Sequence, residues 1–132
     1  MQDCTHLSRE LLKGGYAPRM TAPTRSLAFV FPGQGSQAPG MGRDLAAAFG
    51  AAREVFQEVD DTLGQKLSKL MFEGTGDELT LTENTQPALM AVSMAVLAVL
   101  KELAGIDPKR DALFVAGHSL GEYTALAAAG AL

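Results

Sequence analysis

The sequence predicts an α/β fold, a parallel sheet flanked by helices. Two observations carry that prediction. Two short apolar runs, 26–31 and 112–116, each stop at a glycine-containing turn as buried strands do, and the segments that follow them repeat apolar residues at helical spacing.

Taken in order, Ser26 to Phe31 is an apolar, aromatic run that ends at Pro32-Gly33 and reads as the first strand. Residues 33–40 hold too much glycine and proline for regular structure and form a loop. From Met41 the pattern turns helical: Met41, Leu45, Ala48 and Phe49 recur at helical intervals, and after Gly50 so do Val55, Phe56, Val59 and Leu63. Leu67 to Phe72 is apolar-rich but undecided in type, and 74–77 reads as a turn by composition. Thr85 is placed to cap a helix whose first turn holds Gln86 and Pro87, where proline removes no helical hydrogen bond. That helix is expected to reach about Leu103. A polar connection over 105–110 leads to the second strand, 112–116, then to Gly117-His118-Ser119-Leu120-Gly121. From Glu122 the chain is alanine-rich and helical, with the helix still in progress over 129–132.

The 132 residues are 47% apolar and 20% charged, the composition of a globular domain with a core. A net charge of −4 with scattered Lys and Arg supplies no basic face for nucleic acid or an anionic membrane. The single cysteine, Cys4, has no intrachain partner, which fits a reducing, cytoplasmic location. The apolar stretch from Ala88 to Leu100 is short for a bilayer span and reads as a buried helix. Residues 1–25 lack a secretory core. Arg9, Lys13, Arg19 and Arg25 hint at a transit peptide, but Asp3 and Glu10 argue against one. We therefore expect a flexible N-terminal tail over 1–25 and a partial domain over 26–132.

Gly117-His118-Ser119-Leu120-Gly121 fits the G-x-S-x-G nucleophile elbow, with a strand before it and a helix after it. The glycines let the backbone turn sharply and expose the serine hydroxyl. The helix that starts just past Ser119 aims free amides and its positive dipole end at a developing oxyanion, with the Leu120 amide as one donor. A nucleophilic serine also needs a base. His118, adjacent in the elbow, leaves the backbone in another direction and is expected to pack or hydrogen-bond beneath the turn, and His6 lies in the tail. The base is expected beyond Leu132, or else the chain is inactive. The glycine loop at the end of the first strand belongs to the same sheet edge, and Gln34, flanked by Gly33 and Gly35, is the candidate second oxyanion amide. It lacks the lysine of a phosphate-binding loop and the spacing of a dinucleotide loop.

Phe29-Val30-Phe31-Pro32-Gly33-Gln34-Gly35-Ser36-Gln37, followed by Thr82-Glu83-Asn84-Thr85-Gln86-Pro87-Ala88-Leu89 and then by Gly117-His118-Ser119-Leu120-Gly121-Glu122, closely resembles the malonyl-CoA:acyl-carrier-protein transacylase family from about Leu27 onward. The resemblance implies the front part of an α/β-hydrolase-like acyltransferase domain without its inserted ferredoxin-like subdomain. It implies that Ser119 takes the malonyl group from malonyl-CoA as an acyl-serine and passes it to the phosphopantetheine thiol of acyl carrier protein, as an S-malonyltransferase of fatty acid biosynthesis. The implied oxyanion and substrate-binding residues are Gln34, Leu120, Gln86 and His118. Leu120 after the serine resembles the malonyl-using members of the family. The carboxylate-binding arginine and the histidine base of the family fall beyond Leu132, so the 132 residues alone are expected to be inactive. No cofactor or metal is implied, since malonyl-CoA and acyl carrier protein are substrates, and the full-length protein is expected to be a monomer. Two other readings compete: a serine hydrolase that gives the acyl group to water, and a noncatalytic product.

Overall fold

In the computed structural model the described residues are 26–132, so the expected tail over 1–25, with Cys4 and His6, lies outside them. Strands β1 (Leu27–Phe31) and β2 (Ala112–Gly117) pair in parallel, with Phe29 opposite Val115 and Phe31 opposite Gly117. The register shifts between Leu27 and Ala28, which leaves Leu113 without a partner on β1. The crossover between the parallel strands runs through helices α1 (Arg43–Ala48), α2 (Gly50–Leu63), α3 (Leu67–Glu73), α4 (Gly76–Thr80), α5 (Thr82–Ala104) and α6 (Pro108–Asp111), and α7 (Leu120–Ala129) follows β2. The α/β class and both strands agree with the sequence reading.

The undecided stretch from Leu67 is helical, with Leu67 and Met71 buried one turn apart. Its start is tied to α2 by Asp60. That carboxylate, only 5% exposed, accepts from the Ser68 amide at 2.8 Å and the Ser68 hydroxyl at 2.7 Å, satisfying a free amide of the first turn of α3. The expected turn over 74–77 is shorter than its composition suggested. The Thr75 hydroxyl accepts from the Glu78 amide at 3.3 Å and the Glu78 carboxylate accepts from the Thr75 amide at 3.0 Å, so Gly76 and Asp77 already belong to α4. Thr75-x-x-Glu78 is the capping-box spacing, a signal present in the sequence.

The start of α5 corrects a second expectation. Thr85 does not cap this helix; Leu81 does, and Pro87 sits inside it. The earlier start is favoured by bonds made outside the helix. The Asn84 side chain donates to the Glu78 carbonyl at 2.9 Å and the Thr85 hydroxyl donates to the Leu79 carbonyl, so both occupy carbonyls at the end of α4. With Thr85 fully buried, these bonds outweigh the amide hydrogen bond that Pro87 cannot make.

At 23 residues α5 is also longer than the apolar run that predicted it, and by length and composition it could cross a membrane. Its packing is that of a core helix. Ala88, Ala91, Ala95 and Val99 join Ala52, Phe56, Leu67, Met71 and Leu79 in one apolar cluster, and Leu97 joins Phe31, Ala125 and Ala128 in a second. The small residues of α5 let α2 approach closely, while its opposite side carries α7 and the sheet.

The polar connection after α5 contains α6. Asp107 caps it by accepting from the Lys109 amide at 3.1 Å, and it pairs with Lys101 at 3.1 Å. The last helix is not in progress at the final residues, as the sequence had suggested. It closes at Ala129 with Gly130 left-handed, and the Gly130 and Ala131 amides return to Ala127 and Leu126 at 3.0 and 2.9 Å. Helices were expected on both sheet faces, but among the described residues they cover one. On the other face Val30 is 75% and Phe114 56% exposed.

Candidate active site

Ser119 is the N-cap of α7, with φ 54° and ψ −118°. Among the described residues it is the one non-glycine residue with positive φ, a conformation that costs on the order of 1–3 kcal/mol and persists only where its surroundings impose it. The surroundings are the turn itself. The His118 amide donates to the Phe31 carbonyl at 3.3 Å, which extends the β1–β2 pairing past Gly117. The His118 carbonyl then accepts from the Gly121 amide at 2.9 Å, and the Ser119 carbonyl accepts from the Glu122 amide at 3.0 Å. A Cβ on Gly117 would overlap the Gly121 carbonyl, and one on Gly121 would overlap the Phe31 carbonyl. Only glycine fits at either position, and strand and helix meet closely enough to force the serine to the tip.

The same bonds determine which helix amides stay available. Those of Gly121 and Glu122 are occupied inside the turn, whereas the Leu120 amide, at the first helical position, has no hydrogen-bond partner among the described residues. It therefore lies where the partial positive charge of the α7 N-terminus is concentrated. Ser119 is exposed, and its hydroxyl makes no hydrogen bond to another described residue.

The glycine loop packs directly on the elbow. Gly33 is buried, and a Cβ there would stand 2.6 Å from the His118 carbonyl oxygen and 3.1 Å from its Nδ1. Gln34 is exposed, and its side chain donates to the Thr82 hydroxyl at 3.4 Å, reaching the N-terminus of α5. The backbone amide of Gln34 has no partner among the described residues. Two loops from adjacent parallel strand ends thus bring the Gln34 and Leu120 residues to one sheet edge beside Ser119.

The other two candidates stand differently. His118 is exposed, and its ring lies over Gly33 with no side-chain hydrogen bond among the described residues, consistent with a packing role. Gln86 is exposed near the start of α5 and makes no hydrogen bond to the elbow among those residues. No described residue hydrogen-bonds to Ser119 as a base, and no group of three His, Cys, Asp or Glu among them is arranged to hold a metal ion. The apolar cleft along α2 and α5, lined by Val59, Leu63, Pro87, Met90 and Met94, does not include the elbow residues. Sequence reasoning gave no role to Thr82 or Gln37, although both stand in the quoted motifs. Their polar side chains at a helix start and in a glycine loop were the available signal.

A strand–turn–helix elbow on a parallel pair, with a glycine loop packed against it, defines an α/β domain of the elbow-bearing kind. The chain belongs to the acyl transferase domain family, which matches residues 28–132. It is 58% identical over 106 residues to the malonyl CoA-acyl carrier protein transacylase of Bacillus subtilis strain 168, covering 80% of this chain and 32% of that protein. Among solved structures it resembles the acyl-carrier-protein-S-malonyltransferase of Bartonella henselae, with 62% identity and a TM-score of 0.76 over 80% of this chain and 33% of that one. It also resembles a malonyl-transacylase solved in complex with a type II PKS acyl-carrier protein, with 48% identity and a TM-score of 0.71 over 80% of this chain and 33% of that one. The chain thus spans about a third of the length of these relatives.

Proposed function

We propose that this chain supplies the nucleophile and the oxyanion-binding edge of an S-malonyltransferase that moves a malonyl group from malonyl-CoA to acyl carrier protein in fatty acid biosynthesis. The observation that carries the reading is Ser119, exposed at the tip of a turn, with the unengaged Leu120 amide at the helix start behind it. In the first step Ser119 Oγ attacks the thioester carbonyl carbon, and its proton passes to a base outside the described residues. Charge gathers on the carbonyl oxygen, where the amides of Leu120 and Gln34 donate to it. Collapse of the tetrahedral species breaks the C–S bond and releases coenzyme A as its thiol. In the second step the phosphopantetheine thiol of acyl carrier protein attacks the malonyl-serine ester carbonyl, and Ser119 regains its proton as the C–O bond breaks. Gln86 lines the acyl pocket in this reading, and His118 supports the glycine loop.

The named relatives support malonyl-CoA and acyl carrier protein as substrates, and neither step calls for a cofactor or metal. We place the protein in the cytoplasm, as a monomer at full length, bound to neither nucleic acid nor membrane. With no base at Ser119 among the described residues, the 132 residues alone are expected to turn over little or not at all, since loss of a triad base costs several orders of magnitude in rate.

The test is mass spectrometry of the Ser119 peptide after the protein carrying this sequence is mixed with malonyl-CoA, followed by addition of phosphopantetheinylated acyl carrier protein. Malonyl on Ser119 that moves to the carrier faster than malonate is released supports the transferase. Faster release of malonate makes the protein a hydrolase, and no modified Ser119 in a complete protein refutes the nucleophile.

A further inference from the structure

The loop 33–37 carries the Gln34 amide between two glycines, and a flexible pair of glycines would let that amide wander. Three anchors act against this. Gly33 is pressed on the His118 carbonyl, the Gln34 side chain is drawn to the Thr82 hydroxyl at 3.4 Å, and the Gly35 amide donates to Gln37 Oε1 at 2.8 Å. The last is the shortest of the loop's side-chain bonds. It also acts where the backbone is least restrained otherwise, since Gly35 has φ 108° with open space where a Cβ would stand. With no neighbour near that Cβ position, the bond to Gln37 is the side-chain restraint on the Gly35 backbone among the described residues.

We propose that Gln37 is the positioning residue of this loop: by accepting the Gly35 N–H it holds the turn that keeps the neighbouring Gln34 N–H unpaired and directed at the elbow. It touches no reacting atom. Its consequence for catalysis rests on the acyl-serine reading above, but its effect on the loop does not. The residue three positions past the oxyanion donor thereby sets how well that donor is preorganised, which bears on the transition state and not on ground-state binding of the acyl-CoA.

Amide hydrogen exchange of the 132-residue protein tests the loop directly, comparing the natural sequence with Gln37→Ala and with Gln37→Glu, which keeps an acceptor at the same reach. The Gly35 amide is expected to exchange about fivefold faster in Gln37→Ala, the loss of one net side-chain hydrogen bond, and to be restored in Gln37→Glu, with core amides such as Phe56 unchanged. An unchanged Gly35 amide in Gln37→Ala overturns the proposal, as does an equal change in the core amides. In the complete enzyme Gln37→Ala is expected to lower kcat for malonyl transfer by about tenfold at unchanged KM, a part of what removing an oxyanion donor costs, and Gln37→Glu to recover it. A kcat that stays the same while Gly35 exchange rises overturns the catalytic consequence. If the complete enzyme with Gln37 intact transfers no malonyl group, the acyl-serine reading fails, and the exchange data still decide what Gln37 does.

Discussion

Gly121 lies so close beneath the carbonyl of Phe31 that a Cβ at residue 121 would overlap that oxygen. This contact joins the first turn of α7 to the end of β1, so the helix that presents Ser119 and the strand that launches the Gln34 loop are held against each other at one point. A methyl group there must push helix and strand apart. Gly121→Ala is therefore expected to destabilise the protein by about 2 kcal/mol or more, in the range of overpacked sites, and to abolish acylation of Ser119. Chemical denaturation with mass spectrometry checks both, and an unchanged midpoint would show that the elbow yields.

The backbone of Ser119 makes the opposite prediction for stability. Its positive φ suits glycine, so Ser119→Gly is expected to raise stability by about 1 kcal/mol while removing the nucleophile. Ser119→Ala keeps the strain and is expected to leave stability within about 0.5 kcal/mol of the natural protein. A gain from alanine equal to that from glycine would locate the strain in the hydroxyl and not in the backbone.

Acid should weaken the junction between α5 and β2. The side-chain bond from Lys101, with the Lys109 amide, holds the Asp107 carboxyl below the usual carboxylate range. Arg110, with the Asp107 amide, does the same for Asp111. The amide and hydroxyl of Thr75 lower Glu78. Each group binds its proton less readily folded than unfolded. The stability it contributes is thus present above the ordinary carboxylate range and is lost as pH falls through the lowered folded values, below about pH 4. The melting temperature is expected to fall with acid over that window, and Asp107→Asn, which keeps an acceptor for the Lys109 amide, to flatten part of the fall. An Asp107→Asn profile parallel to the natural one would remove Asp107 from the account.

The bare sheet face predicts association. Among the described residues Val30 and Phe114 form an apolar surface on a two-stranded sheet with open edges, and the unpaired Leu113 is itself 72% exposed. The isolated 132 residues are expected to self-associate as concentration rises, and Val30→Thr, which keeps strand propensity, to reduce it. Light scattering from a monodisperse monomer with a sharp cooperative melt would contradict this.

Much of the fold and site was legible because the signals were local. Phe31-Pro32-Gly33 marks a strand end whatever lies beside it, and Gly117 marks the elbow because the close approach it permits is to Gly121, a near neighbour in sequence, whereas Gly121 completes the same pattern although the contact it permits is with distant Phe31. The helical spacing of Val55, Phe56 and Val59 likewise needs only the period of a helix. The misread boundaries share a different cause. Thr85 has the composition of a cap, but its hydroxyl is used by the Leu79 carbonyl, and α5 starts at Thr82. Gly130 closes α7 through a left-handed residue that a run of alanines concealed.

By itself, then, the sequence determined the α/β class, the two strands, the glycine loop and the serine at its elbow, because each depends on interactions within a few residues of chain. Tertiary structure alone decided that Gly33 rests on His118, that Gln34 is tied back to Thr82, and that α5 separates two apolar clusters while one sheet face stays bare. Those relationships join residues tens of positions apart, and local pattern carries no record of which distant partner satisfies a given hydroxyl, amide or apolar face.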